Sequence, residues 1–114
     1  MLSIEALRRF GANTQEGLGR CMNNEAFYLR LVNMALNDKG FDTLAAAIES
    51  GNKKSAFEAA HALKGVLGNL ALTPLYERTS EITELLRADK DADYQTLLDE
   101  ILKQRDALAA LRDN

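Results

Sequence analysis

The chain has no tryptophan, and only one cysteine, one histidine and one proline among its 114 residues. A single thiol, Cys21, excludes an intramolecular disulfide, so any fold must be held by apolar burial rather than cross-links. With one His and one Cys, a zinc centre built within one chain would need carboxylates for most of its ligands, and no metal site is expected. No stretch approaches the roughly 18 consecutive apolar residues of a membrane span, and no basic segment with an apolar run behind it opens the chain. Secretion and membrane insertion are therefore not expected, and the sequence is read as cytoplasmic. Charge of one sign is also missing: 14 basic against 17 acidic residues leave a net charge of −3. That mixed surface argues against nucleic acid as a partner.

What is present is helical. Ala, Leu, Glu, Lys and Arg recur at helical spacing, strand-like alternation is absent, and an all-α protein is predicted. At 12.6 kDa the chain fits one domain over residues 1–114 with a single core. Ser3 is placed to cap a short helix running to Phe10 and stopped by Gly11. Asn13 or Thr14 starts a second short one, broken up by Gly17 and Gly19. Both are expected to lie across one end of a bundle. Asn23 or Asn24 caps a run with Phe27, Leu31, Met34 and Ala35 on one face, breaking or kinking at Lys39-Gly40 and continuing from Phe41 to Ser50. Gly51 stops that stretch. Asn52 caps the next, and Thr73, with Pro74 at the first helical position, opens a helix to about Ala88. Asp91 or Asp93 starts a last helix carrying Leu97, Leu98, Ile101, Leu102, Ala107, Leu108 and Leu111. Short connections predict an antiparallel, up-down four-helix bundle in which the Asn24–Ser50 stretch is one bent member.

The chemistry centres on the stretch Asn52–Leu72, which carries His61. At about 100° per residue, Ala56, Ala59, Leu63, Val66, Leu67 and Leu70 fall in one apolar arc, with His61, Lys64, Gly65 and Gly68 opposite. The histidine is thus offered to solvent or a partner. Each glycine costs an exposed helix interior roughly 1 kcal/mol relative to Ala, and neither is needed in the apolar arc, so a functional reason is expected for both. An imidazole with a cation one turn on, and no Cβ at the neighbouring positions, makes an exposed notch holding a nucleophile and an anion-stabilising group. That is the geometry of a phosphoryl acceptor.

These residues, Ala60-His61-Ala62-Leu63-Lys64-Gly65 followed by Asn69-Leu70, resemble the signature of the histidine-containing phosphotransfer (HPt) domain of bacterial two-component phosphorelays. The chain departs from that pattern at Ala71, where Gly is usual, and near Thr83, where Glu or Gln often stands on the next helix. The resemblance implies reversible phosphoryl transfer between His61 and an aspartate of a response-regulator receiver domain, with a hybrid sensor kinase as a further partner. It implies a carrier with no kinase or ATPase activity and no cofactor of its own, the Mg²⁺ being held by the receiver. Lys64 would neutralise phosphoryl oxygens, Gly65 and Gly68 would give access, and Asn69 would meet the partner at the edge of that face or cap local backbone. Phe57, one turn before His61, would either join an apolar docking patch or fold against an adjacent helix.

Competing patterns are weaker. Asp89, Asp91, Asp93 and Glu100 have the spacing of acidic positions in a calcium loop, but Tyr94 stands where its Gly is required. Gly17-Leu18-Gly19 follows no strand, which argues against a nucleotide-binding loop. A hydrolase would need a pocket and an orienting acid for His61, which a narrow bundle does not offer. Lys53 and Lys54, at the positive end of a helix dipole, gain nothing from their position and are read as solvated surface. The remaining alternative is a helical docking module that is never phosphorylated.

Overall fold

The computed structural model describes residues 1–113. Seven α-helices run in order: α1 (Ile4–Phe10), α2 (Thr14–Arg20), α3 (Glu25–Leu36), α4 (Gly40–Ser50), α5 (Lys53–Asn69), α6 (Thr73–Arg87) and α7 (Tyr94–Ala110), followed by a single 3₁₀ turn, Leu111–Asp113. The starts are set by short polar side chains. The side-chain oxygens of Ser3, Asn13, Asn24, Asn52 and Asp93 each accept a hydrogen bond from the backbone N–H three residues on, satisfying a donor that the first helical turn leaves open. α1 and α4 stop where Gly11 and Gly51 adopt left-handed backbone, at φ 110° and 73°.

α4, α5, α6 and α7 pack as successive neighbours, and α7 also returns to α4, so these four helices form the bundle. Leu44, Ala56, Leu63, Leu67, Leu75, Ile82, Leu98, Ile101 and Leu108 meet in its core. The Asn24–Ser50 stretch is not one bent helix. It is two helices separated at Asn37–Lys39, where Asp38 Oδ1 accepts from the backbone N–H of Gly40 at 2.7 Å, and Gly40 begins α4 rather than breaking α3. The buried face of α3 is Tyr28, Val32, Ala35 and Leu36, whereas Phe27 and Leu31 are half-buried and Met34 is exposed, so the face read from periodicity is rotated by one residue. Thr73 is the first helical residue of α6, with Leu72 before it as an N-cap that makes no side-chain bond.

α2 runs unbroken through both glycines, and Gly17 serves packing. A Cβ there would lie 2.5 Å from the ring of Tyr28, so only glycine lets α2 and α3 approach so closely. The Tyr28 hydroxyl, fully buried, donates to the Leu70 carbonyl oxygen at 2.7 Å. The Asn13 N–H donates to the Ala71 carbonyl at 2.9 Å, and Arg20 Nη1 to the Gly68 carbonyl at 3.0 Å. α2 and the start of α3 are thereby held at the end of the bundle where α5 turns into α6. Ala71 sits at φ 55° in that turn. This is the left-handed region that Gly enters freely and other residues enter at a cost of about 1–2 kcal/mol. The Ala71 N–H bonds to Gly68 O at 3.0 Å and the Leu72 N–H to Leu67 O at 3.1 Å, so helix-end carbonyls are satisfied despite the missing glycine. No helix among the described residues is long and apolar enough to cross a membrane.

Candidate functional site

The buried face of α5 is Ala56, Ala59, Ala60, Leu63 and Leu67. Ala60 therefore takes the place assigned to Val66, which is only half-buried. One residue past Ala60 the helix turns outward, and His61 is exposed, as are Gly65 and Asn69, with Lys64 half-buried between them. A Cβ at Gly65 would have no neighbour within 4 Å, which leaves open space beside the imidazole.

Gly68 differs from the expectation. A Cβ there would come within 3.0 and 3.1 Å of Cε1 and Cδ1 of Tyr76 on α6, so this glycine serves α5–α6 packing as well as bordering the site. Asn69 is the last residue of α5 and lines the depression.

The surroundings of His61 extend beyond its own helix. His61, Lys64, Gly65, Gly68 and Asn69 of α5 form one wall of an open depression of about 410 Å³, Tyr76 of α6 stands at its edge, and α2 contributes Glu16 and Arg20. Arg20 is fixed there by the Gly68 carbonyl and by Glu16 Oε1, 2.6 Å from its Nη2. Two cations, Lys64 and Arg20, thus face one depression in a chain of net negative charge, a local field suited to an anionic group. Lys64 makes no ion pair within 4 Å among the described residues, leaving its charge available, whereas that of Arg20 is partly committed to Glu16.

The other flank of His61 is built by α5 and α6 together. The Phe57 ring lies 5.5 Å from the imidazole, tilted by 40°, and the Arg87 guanidinium stands 5.0 Å over the same ring. Phe57 does not line the depression, and its half-buried ring meets α6 through Arg87. Arg87 Nη2 reaches within 3.5 Å of His61 Nδ1, and its Nε donates to Glu84 Oε2 at 2.9 Å. That hydrogen bond, with the positive charges of Arg87, Lys64 and His61 nearby, holds the Glu84 carboxyl below its ordinary range. Thr83 plays no part in orienting the ring, since its buried hydroxyl donates to the Thr79 carbonyl oxygen at 2.6 Å.

Sequence reasoning missed Arg87, Glu84, Arg20, Glu16 and Tyr76. The departure at Thr83 pointed to the right helix, and Arg87, one turn further along it, could have been found by asking which polar residue shares that side. No local signal marks Arg20.

One other reading is corrected. Lys53, at the start of α5, pairs with Asp89 at 3.3 Å and Asp91 at 3.5 Å in the connection after α6, and its hydrogen bond to Asp89 pushes its pKa up, so it is not idle surface. Of the two acids offered as the start of the last helix, Asp93 is the one that caps α7.

Comparison with known proteins adds one finding. A family model described as the Hpt domain matches residues 35–114, from the end of α3 onward, while α1, α2 and most of α3 lie outside the match. Neither a curated protein nor a solved structure matches the chain.

Proposed function

The chain belongs to the Hpt domain family, whose members mediate histidine phosphotransfer in phosphorelays, and from that premise we propose that His61 is the phosphoryl acceptor of this chain. The family is one of phosphotransfer carriers, not kinases, and it interacts with receiver domains and kinases. In the proposed reaction an imidazole nitrogen of His61 attacks the phosphorus of an aspartyl phosphate on a response-regulator receiver. The P–O bond to the carboxylate breaks as the N–P bond forms, the carboxylate leaves with the electron pair, and the ring gives up one proton to solvent. The reverse sequence passes the group on, and a hybrid sensor kinase is the other partner.

The single observation that carries this reading is the placement of the only histidine on an exposed face of α5, beside the open space at Gly65 and next to Lys64, which has no ion pair among the described residues. In-line displacement needs an unhindered nitrogen and a charge-stabilising neighbour, since positioning and electrostatics supply most of the catalysis in phosphoryl transfer. Gly65 supplies the approach, and Lys64 neutralises phosphoryl oxygens. Gly68 and Asn69 border the surface on which the receiver docks, and Phe57 supports the imidazole from behind. The chain needs no cofactor of its own in this scheme, Mg²⁺ being held by the receiver.

The test is incubation with a phosphorylated receiver domain. Acid-labile, base-stable phosphate should form on the wild-type chain and be absent from His61→Gln, whose helical circular dichroism is retained. Uptake by His61→Gln, or no uptake by wild type from any receiver that labels a known carrier, would leave a docking module as the better reading.

A further inference from the structure

Arg20 reaches the depression beside His61 from outside the helices that carry its chemistry. It ends α2, and α2 lies outside the residues matched by the family model, so the family's shared phosphotransfer chemistry does not account for this side chain. Its place is nonetheless fixed. The Asn13 N–H and the Tyr28 hydroxyl bond the carbonyls of Ala71 and Leu70, Tyr28 closes on Gly17, and Arg20 Nη1 takes the Gly68 carbonyl. A guanidinium held in this way meets a partner already ordered, with little further entropy to lose.

The anchor also decides what Arg20 can touch. Gly68 lies seven residues beyond His61 on α5, roughly 10 Å at 1.5 Å per residue, whereas Lys64 is less than one turn away. Lys64 is therefore the cation that a phosphoryl group on the imidazole meets, and Arg20 stands at the far end of the same depression. Of the five N–H donors of a guanidinium, the Gly68 carbonyl takes one and Glu16 Oε1 another, which leaves three on a side chain 47% exposed.

Resting on the phosphocarrier reading above, we propose that Arg20 selects the receiver, by pairing with a carboxylate side chain on the receiver's docking face at the end of the depression away from the phosphoryl group. A receiver seated over His61 covers this depression, and the parallel N–H groups of a guanidinium match a carboxylate in a way that they match no other side chain. A partner with Lys or Arg at that place brings cation against cation and is disfavoured. Glu16 occupies Arg20 in the free protein, so it competes with the incoming carboxylate and repels it. The two α2 residues therefore act with opposite signs on the same encounter. A pair at the edge of an interface governs which partner docks and how fast, more than the chemistry after docking.

The experiment uses the full chain and one phosphorylated receiver domain that labels it, with uptake by His61 measured against receiver concentration. Arg20→Glu should raise the half-saturating concentration about tenfold, with the loss falling there rather than on the rate at saturation. Glu16→Gln, which keeps the Arg20 bond to the Gly68 carbonyl, should lower it about two- to fivefold, the size expected when an exposed competing ion pair is removed. Added salt should weaken docking of the wild type more than that of Arg20→Gln. When carboxylates on the receiver are changed singly to Lys, one change should weaken wild type and restore Arg20→Glu. Shifts of the same sign in Glu16→Gln and Arg20→Glu, or no receiver change that restores Arg20→Glu, overturn the proposal. Labelling by phosphoramidate, a small donor without a docking face, separates the remaining alternative: a loss in Arg20→Glu as large as that with the receiver would place Arg20 on the phosphoryl group and also overturn it. Failure of both receiver and phosphoramidate to label wild-type His61 would instead refute the carrier reading, and this proposal would fall with it.

Discussion

Gly65 and Gly68 stand three residues apart on α5 and are the same residue by composition, yet adding a methyl group should have different consequences at the two. At Gly65 the new Cβ meets nothing within 4 Å. Alanine there gains helix propensity and gives up backbone freedom of the unfolded chain, together roughly 1 kcal/mol. For a chain of this length the unfolding entropy is about 0.24 kcal/mol per kelvin, so Gly65→Ala should raise Tm by about 4 °C. At Gly68 the same methyl arrives 3.0 and 3.1 Å from the Tyr76 ring, closer than carbon contacts settle, and the site lies in the last turn, where propensity counts for less. Gly68→Ala should therefore be neutral to destabilising, leaving the two variants about 1 kcal/mol or more apart. The assay is urea unfolding of both, followed by circular dichroism. Function should run the other way at Gly65: the bulkier Gly65→Gln should remain folded and yet slow labelling from a phosphorylated receiver, because its side chain fills the approach to His61. Equal stabilities for the two alanine variants, or a marked loss in Gly65→Ala, would mean that α5 is rotated and the space beside His61 is occupied.

Four further outcomes are expected. Lys64→Ala should slow phosphoryl uptake by His61 while leaving the urea midpoint nearly unchanged, since Lys64 makes no ion pair within 4 Å among the described residues; a large stability loss would reassign it to the fold. Incubation with ATP alone should leave the protein unlabelled, and stoichiometric self-labelling would refute the carrier assignment. Burial, with a smaller contribution from Cys21, pushes Tyr28 up to about 12. Its contribution to stability is therefore complete below the ordinary tyrosine value of about 10 and is lost as pH rises through 12. Tyr28→Phe, which orphans the Leu70 carbonyl, should cost about 1–3 kcal/mol in urea melts at pH 7 and flatten the alkaline limb. Asp93 is held below its usual range by the Thr96 hydroxyl and N–H, so its capping contribution is present above about pH 4 and is lost as pH falls through its folded value. Asp93→Asn should make the helical signal less sensitive to acid in that window, and an unchanged acid limb would show that the cap carries none of it.

The sequence by itself determined the helices and the chemistry of one face, because both are local. Caps act over three residues and amphipathic faces over one or two turns, so Ser3, Asn52, Gly11 and Gly51 mark boundaries without reference to the rest of the chain. His61, Lys64 and Gly65 share a side of α5 for the same reason. Tertiary structure decided what spacing does not encode. Gly17 is explained only by the Tyr28 ring, Gly68 only by that of Tyr76, and Lys53 only by acids at the far end of α6. The same holds for the surroundings of His61: Arg87 reaches it across 26 residues of sequence, and Arg20 bonds the Gly68 carbonyl across 48. Side-chain reach across a helix interface depends on how each helix is rotated about its axis. That rotation is fixed by the packing of whole faces, so one residue of uncertainty in a face, as in α3 and α5, is enough to hide which neighbours meet.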